Sequence, residues 1–411
     1  STAMSNQHPS TFVQADPVDV YKLIEEDLLY ACDILPYAKD DTYRSSNNYR
    51  FSKGAALGLL AKVYATWAGY PIQDTSKWEA AAKTARILVE SGKHDLLNDY
   101  EQLWKNTCNG IWDPTESLIE ISFYSPTYSG NSDPVGRIGK WNGVKTTVDA
   151  GRSGSTAANV QVVHSFVLDW REEAKPDETT GISPDRRQNL SIANYKHGHN
   201  DSKTGAVYLD DYYLAASIPN DNAATALSKD LDPEKSQKAK QTYTPAKWDI
   251  DKYMESIPFI NNDKSTVNWY VLRYADVLLL YAEALNEWKG GPTTEAYAAI
   301  NKVRKRGYTK ADGTINKDYS LKEGLDQTAF REAVHKERAY ELAFEGHRRL
   351  DLVRWGVYYE TVQNTYNALK NWWSSANYVV YDYTEKGKHE LMPIPQREMD
   401  LCTQFEQNPG W

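Results

Sequence analysis

The chain has 411 residues, of which 25% are charged and 41% hydrophobic, and its formal net charge at pH 7 is −9. This composition is typical of a globular protein with a sizeable core, and an acidic chain without a basic stripe argues against nucleic acid as a partner. No run of about 18 apolar residues occurs, so the sequence predicts no membrane-spanning helix.

The first part of the chain predicts three helices. Residues 17–35 carry apolar side chains near helical spacing, and Pro36 ends the run. Ser52 is a typical N-cap for a second helix with one apolar face. A third helix is expected between Ser76 and Gly92. Small alanines where the second and third helices would cross predict an antiparallel helix pair.

The same pattern returns late in the chain. A helix is predicted over residues 273–290, where a Gly-Gly-Pro stop begins, and another ends at Gly307. The alternation of large and small residues resembles tetratricopeptide (TPR) helix pairs, in which a small residue lets two backbones approach closely. We therefore predict TPR-like helices over about residues 18–105 and 265–356 of a mostly α-helical fold.

The middle of the chain, about residues 106–262, changes character. It is rich in Gly, Pro, Asn, Asp and Ser, which favour turns and loops. It also holds many of the 13 Trp and 29 Tyr residues of the chain, and disordered segments are depleted in aromatic residues. The sequence thus predicts an ordered, loop-rich and irregular region that carries a ligand-binding surface.

The stretch YLDDYYLAA is the best candidate for ligand contacts within this region. On an extended strand Tyr212 and Tyr213 would point to opposite faces, so only one of them need face a ligand. Ordinary packing explains any single aromatic residue more often than ligand contact does, so we expect at least two contacts from the whole set. The candidate ligand-binding residues are Tyr208, Asp211, Tyr212, Tyr213, Trp141 and Trp248.

Signals for metals and cofactors are weak. His197-Gly198-His199 with Asp201 could bind a metal, but a solvated loop is the favoured interpretation. Clustered Asp and Asn could bind Ca²⁺, yet no spaced Asp-x-Asp-x-Asp loop supports it. The three cysteines lie far apart and fit no metal spacing, and no phosphate loop, serine-nucleophile elbow or dinucleotide fingerprint occurs. The sequence therefore predicts no cofactor.

The segment ERAYELAFEGHRRLDLVRWG, residues 337–356, is crowded with ionisable side chains. On one continuous helix Glu337, Glu341 and Glu345 would share a face, with arginines on neighbouring rows. An arginine near each glutamate keeps it ionised and lowers its value as a general acid. His347 would lie about 200° around the helix from Glu345, which argues against a metal site. We therefore favour a structural ion-pair network over an active site. The residues of this signature are Glu337, Arg338, Glu341, Glu345, Arg348, Asp351, Arg354 and Trp355.

The same segment resembles the signature of the SusD/RagB family of outer-membrane nutrient-binding lipoproteins. LRYADVLLLYAEALNEWKGG with AYAAINKVRKRG is similar to the helix pair that precedes the signature in that family. HELMPIPQREMDLCTQFEQNPGW resembles the family's C-terminal ending, and VYKLIEEDLLYACDILP with FSKGAALGLLAKVYA resembles its middle helices. Together these stretches cover most of residues 18–105 and 265–411 in the family's order.

The resemblance implies one SusD-like domain over residues 1–411, with TPR helix pairs and a loop-rich binding region. Residues 357–411 would then be a C-terminal closing segment, and the charged signature would brace the fold. Family members usually begin at a lipidated cysteine, followed by a segment that precedes the first helix predicted above. We expect that N-terminal segment and its anchor to be absent from this chain.

The resemblance also implies a function. Members of this family capture a glycan or another nutrient at the extracellular face of the outer membrane and deliver it to a TonB-dependent, SusC-like transporter. Catalysis is not expected, and contact with the membrane would be made only through the lipid anchor.

Two other functions remain open from the residues alone. A glycoside hydrolase would use two carboxylates, such as Asp210 or Glu172, across a cleft, at a separation that the sequence does not contain. A TPR scaffold that binds only protein would use the helix pairs and leave the middle loops without a ligand.

Overall fold

The structure is a computed structural model that describes residues 12–42, 49–123, 136–146, 156–177, 182–200, 203–208, 241–254, 264–315 and 319–411, with backbone alone at 198–200 and 203–208. The helices in these ranges are α1 (Pro17–Ile34), α2 (Lys53–Trp67), α3 (Lys77–Glu90), α4 (Tyr100–Cys108), α5 (His164–Glu173), α6 (Arg186–Ser191), α7 (Ile250–Tyr253), α8 (Tyr274–Lys289), α9 (Thr294–Gly307), α10 (Gln327–Glu341), α11 (Arg348–Arg354), α12 (Tyr358–Trp372), α13 (Val379–Asp382) and α14 (Gln396–Leu401), with a 3₁₀ turn at Ala38–Asp40. The strands are β1 (Ser117–Ile121), β2 (Ile192–Ala193), β3 (Tyr195–Asn200), β4 (Lys203–Tyr208), β5 (Thr244–Pro245) and β6 (Trp269–Arg273). The fold of the described residues is thus mainly helical.

The TPR-like helix pairs are present, as the sequence predicts. Helix α2 packs on α3, α8 packs on α9, and α8 also lies against α3, so that α8 is central. The hydroxyl of Ser52 accepts a hydrogen bond from the backbone N–H of Ala55 at 3.3 Å and begins α2. A Cβ at Gly58 would lie 2.9 Å from the Leu272 side chain, so a larger residue would force that side chain to move. Small residues therefore set the distance between the packed elements.

Helix α1 has its predicted length but packs by a different face. Tyr21 stacks on Trp67 of α2 with ring centroids 5.1 Å apart, and Leu28 is buried. Of the other apolar residues that predicted the helix, Val20, Leu23, Ile24 and Ile34 are all exposed. Helical spacing predicted the element correctly, but it did not identify the face that contacts the core.

The charged segment breaks after Glu341, so the prediction that Glu345 shares a helix with Glu337 and Glu341 is wrong. Helix α10 ends at Glu341, and α11 begins only at Arg348. Phe344 and Gly346 between them have φ values of 68° and 84°, in the left-handed region that ends helices. Glu345 therefore lies in a turn. The bend of the chain brings it into the same ion-pair network as the other glutamates.

The middle of the chain combines short strands and helices. Strands β1 and β6 pair antiparallel, as do β2 with β5 and β3 with β4. The stretch that contains His197, Gly198 and His199 forms β3 of a hairpin, so the interpretation of this stretch as a solvated loop is wrong. These strands and α5 to α7 hold the loops that carry the candidate site.

None of the helices in the described ranges is long and apolar enough to cross a membrane.

Candidate functional site

Glu341 lies at the centre of a buried ion-pair network that joins distant parts of the chain. Nη2 of Arg306 lies 2.6 Å from Oε1 of Glu341, and Nη1 of Arg273 lies 3.0 Å from the same atom. Nη1 of Arg187 lies 3.1 Å from Oε2. Burial alone would raise the pKa of Glu341, but the three guanidinium groups outweigh it and hold that pKa at about 2. Glu341 is therefore ionised and serves as an anchor for α6, α9, β6 and α10.

The network extends to the loop that carries Trp248. Nζ of Lys247 lies 2.7 Å from Glu345, which also accepts from Arg273 at 2.7 Å. The ammonium group lies 4.6 Å from the centroid of the Trp104 ring. Burial lowers the pKa of Lys247 to about 8, against the opposing pull of Glu345. The loop is thus fixed to the ionic brace from inside the protein.

A second network braces the helix pair. Arg338 lies 2.7 Å from Asp276 and 2.9 Å from Asp351, and all three side chains are buried. Arg354 lies 3.0 Å from Asp351 and 2.6 Å from Glu283. These carboxylates are closed off from solvent and paired with cations, so they are poorly suited to acid or base catalysis.

The remaining signature residues differ in their surroundings. Glu337 is buried and lies 2.9 Å from Arg304. The half-buried indole of Trp355 donates a hydrogen bond to Glu283 of the second network at 2.7 Å. Arg348 is exposed and donates to a backbone carbonyl of α10 at 3.1 Å. Arg348 therefore lies at the edge of the brace.

Trp141 is the candidate ligand contact that the structure places at the surface, with 37% of the residue exposed. The guanidinium carbon of Arg137 lies 4.5 Å from the centroid of its indole ring. The backbone N–H of Trp141 donates to the carbonyl of Arg137 at 3.0 Å, and the side chain of Asn142 accepts from the N–H of Gly139 at 2.9 Å. This tight turn holds an aromatic ring and a cation together at the surface.

Glycine is required on the inner side of the turn. Gly139 has a φ of 79°, and a Cβ at Gly143 would lie 2.2 Å from the carbonyl oxygen of Gly139. A Cβ at Gly139 itself would lie 2.6 Å from the side chain of Ile250. The turn therefore rests directly on the loop and helix at residues 246–253.

Trp248 lies beneath this turn, and its assignment as a ligand contact is corrected. Only 1% of the residue is exposed, because its ring stacks on Trp269 with centroids 5.1 Å apart and meets the edge of Trp104 at 5.9 Å. A side chain with no accessible face cannot stack on a ligand. Trp248 supports the surface that Trp141 presents.

The β3–β4 hairpin is attached to the same loop through Asp249. Nε2 of His197 donates to Oδ1 of Asp249 at 2.8 Å, and the hydroxyl of Tyr195 donates to Oδ2 at 2.7 Å. Burial would raise the pKa of Asp249, but His197 and Tyr195 outweigh it and lower that pKa. The backbone N–H of His197 also donates to the carbonyl of Lys145 at 2.9 Å. The hairpin therefore packs beside the turn that carries Trp141.

We expect the attachment of this hairpin to weaken as the pH rises. Burial would lower the pKa of His197, but Asp249 and Asp251 outweigh it and Lys252 opposes them, so that the pKa is raised above its ordinary value of about 6.5. A raised histidine pKa stabilises the folded state fully below about pH 6.5, and this stabilisation is lost as the pH passes through the folded pKa. Hydrogen exchange of residues 195–208, corrected for intrinsic rates, should therefore accelerate as the pH rises above about 6.5.

The variant His197→Gln is the control for this expectation. A glutamine can still donate one hydrogen bond to the aspartate but carries no titrating charge. Exchange in this variant should be nearly independent of pH over the same range. Equal pH dependence in both proteins would show that the ion pair does not hold the hairpin.

Other candidates lie partly or wholly outside the described residues. Tyr212, Tyr213 and Asp211 belong to residues that the structure does not describe, as does Asp210 of the hydrolase alternative. The backbone of Tyr208 pairs with that of Tyr195 across the hairpin. These residues remain predictions.

Sequence reasoning missed the polar segment at residues 159–161 and the tryptophans at the end of α12. The adjacent pair Trp372-Trp373 is visible in the sequence, and it was the signal that could have found the second of these features. Within the described ranges, no group of three or more His, Cys, Asp and Glu side chains is arranged to hold a metal ion.

A protein with helix pairs, an ionic brace and an exposed aromatic turn can be compared as a whole with known protein families. The SusD family profile matches residues 115–411, so the chain belongs to the SusD family. A solved structure of a SusD homolog from Bacteroides thetaiotaomicron is 67% identical, with a TM-score of 0.87, over all of this chain and 74% of that chain.

More distant relatives share the fold. A laminarin-binding SusD-like protein is 25% identical, with a TM-score of 0.63, over 97% of this chain and 70% of that protein. A SusD-like protein of Formosa agariphila is 25% identical over 94% of this chain. The chain spans 63% of the length of this curated relative.

Proposed function

We propose that this protein binds a glycan on the surface around Trp141 and delivers it, uncleaved, to a TonB-dependent SusC-like transporter. The observation that carries the proposal is the exposed indole of Trp141, held rigidly in a glycine turn beside the guanidinium group of Arg137. The laminarin-binding relative with the same fold supports a glycan as the ligand class.

The chemistry of this surface suits a sugar. A sugar ring has a C–H face that packs on an indole, and water excluded from that flat contact supplies affinity. The hydroxyl rim needs fixed donors and acceptors, and the cation of Arg137 together with neighbouring amide side chains supplies them. Since the turn is braced from beneath, the ring is ordered before the ligand arrives and little entropy is lost on binding.

A non-catalytic role is consistent with the described carboxylates. Glu120 is a carboxyl whose pKa is raised, to about 7, mainly by burial. It is enclosed between the hydroxyl of Ser117 and the amide of Asn268 and lies away from any sugar-accessible surface. Glu172 is exposed on α5. These positions do not supply the two facing acids that a glycoside hydrolase needs.

The transporter and the location are proposed from family membership. A SusC-like transporter in the outer membrane would receive the glycan, and the protein would act at the extracellular face as a lipoprotein. No nucleic acid and no cofactor is part of the proposal.

The test is isothermal titration calorimetry with laminarin, starch, cellulose-derived and mannan oligosaccharides, with product analysis of the same mixtures. Trp141→Ala should weaken binding of the recognised glycan about tenfold, equivalent to about 1.4 kcal/mol, because the stacking face is lost. Trp141→Phe should retain most of the affinity. Tyr30→Ala, which removes an aromatic residue that is 66% exposed on α1, is the matched control and should bind as the unmodified protein does.

The outcomes separate the functions. Saturable binding without cleavage that depends on Trp141 supports the proposal. Cleavage of any glycan in the panel would favour the hydrolase and overturn a delivery role. Binding that Trp141→Ala leaves unchanged would place the glycan elsewhere on the protein.

A further inference from the structure

A segment that is neither helix nor strand leads away from the Trp141 turn, and its residues 159–161 are exposed. The backbone N–H of Asn159 donates to the carbonyl of Trp141 at 2.6 Å. Residues 156–163 form neither helix nor strand, and they continue directly into α5. The segment therefore begins in contact with the proposed sugar-binding turn.

The far end of the segment reaches a second group of aromatic rings. The backbone N–H of Val162 donates to the carbonyl of Tyr243 at 2.8 Å. Two residues later the His164 ring stacks on Trp372, with centroids 4.0 Å apart and planes within 26°. Trp373 meets Trp372 edge to face at 6.2 Å, and both tryptophans are half-buried. The stacked rings of His164 and Trp372 thus support Trp373 at the end of α12.

The residues between the two aromatic groups are exposed and mostly polar. Asn159, Val160 and Gln161 are all exposed, whereas Val162 is buried. The exposed side chains of Asn159 and Gln161 both carry an amide group, which can donate to and accept from sugar hydroxyls. His164 lies five positions after Asn159, and a chain of that length spans at most about 18 Å. An elongated ligand can therefore contact both ends.

We propose that Trp141 and Trp373 are the two ends of one binding surface for a glycan chain of several sugar units, which lies along residues 159–161. This inference rests on the proposed function and adds the length of the ligand to it. Each tryptophan packs on a sugar face near one end of the chain, and the amides of Asn159 and Gln161 bond the hydroxyls of the sugars between them. A disaccharide reaches only one aromatic group, and a hexasaccharide reaches both.

On such a surface a long ligand binds more tightly than a short one, although both make the same kinds of contact. Once one end is bound, contact at the other end is intramolecular and proceeds at a high effective concentration. The higher affinity of a long chain than of a short one therefore depends on Trp373, whereas binding at Trp141 does not.

The test compares disaccharides with hexasaccharides of the β-1,3-glucan, α-1,4-glucan, β-1,4-glucan and β-1,4-mannan series by titration calorimetry. For the recognised series, the hexasaccharide should bind at least about tenfold more tightly than the disaccharide. Trp373→Ala should remove that length advantage, whereas Trp373→Phe should keep most of it. Tyr30→Ala again serves as the control, and thermal melting of each variant verifies that it folds.

The results distinguish this inference from the proposed function. If no series binds, both are overturned. If a series binds through Trp141 but Trp373→Ala leaves the length advantage intact, the single-surface inference is overturned and the proposed function stands. Loss of the advantage in Trp373→Ala, with the disaccharide affinity retained in a folded variant, supports the extended surface.

Discussion

Replacement of Glu341 by glutamine is expected to lower the free energy of unfolding by about 3–5 kcal/mol, because it leaves three buried guanidinium groups without their shared anion. Arg187, Arg273 and Arg306 all lie within 3.1 Å of this carboxylate, and the glutamate is 0% exposed. Glutamine matches the shape of glutamate, so packing changes little and the loss is electrostatic. Urea denaturation at pH 7 measures it.

Glu79→Gln is the control for this expectation. Glu79 lies 2.8 Å from Lys83 on α3, and both side chains are about half exposed. Water screens such a pair, so its removal should leave the free energy of unfolding unchanged within error. A loss below about 1 kcal/mol in Glu341→Gln would mean that the arginines find other partners, and the segment would not be the brace we describe.

Glu120 is expected to contribute a fall of about 3 kcal/mol to the free energy of unfolding between pH 4.5 and pH 7, measured against a variant in which this group does not titrate. Burial raises the pKa of this carboxyl from 4.5 to about 7, against hydrogen bonds from Ser117 and Asn268 that lower it. In this range the folded state holds a proton that the unfolded state has released. Stability is therefore greatest below pH 4.5 for this group, falls as the pH rises, and is constant above the folded pKa.

Glu120→Gln should remove this part of the pH dependence, because the amide is neutral throughout. Glu323→Gln, at an exposed loop position, is the matched control and should keep the pH profile of the unmodified protein. The buried His94 and His335, whose pKa values are lowered to about 4, also change the stability in this range, so the difference between the unmodified protein and Glu120→Gln isolates Glu120. The same pH profile in the unmodified protein and in Glu120→Gln would show that Glu120 is ionised and hydrated.

The TPR helix pairs were predictable because their signal is local. Ser52 caps α2, Gly290 terminates α8 with a φ of 72°, and small residues recur where helices cross. Each of these features acts within a few residues along the chain. Helix α1 shows the limit of such signals, since its spacing indicated a helix while tertiary contacts selected Tyr21 and Leu28 as the packed face.

The candidate site was predictable only in outline. Trp141 and Trp248 looked equivalent in the sequence, but one is 37% exposed and the other 1%. Exposure depends on what packs against a ring, and the rings that cover Trp248 come from Trp104 and Trp269. The two ends of the proposed glycan surface, Trp141 and Trp373, are 232 positions apart in the chain. No spacing rule relates them.

For the charged signature, too, the sequence and the tertiary structure determined different features. Its sequence by itself determined that ionisable residues would pair and that the family would be SusD, because those features depend on residue types and short spacings. The tertiary structure alone decided the partners. Arg187 and Arg273 come from 154 and 68 residues away, and Glu345 joins them through a left-handed turn. Long-range ion pairs follow from how the chain folds back on itself, and that path is set by packing over the whole molecule.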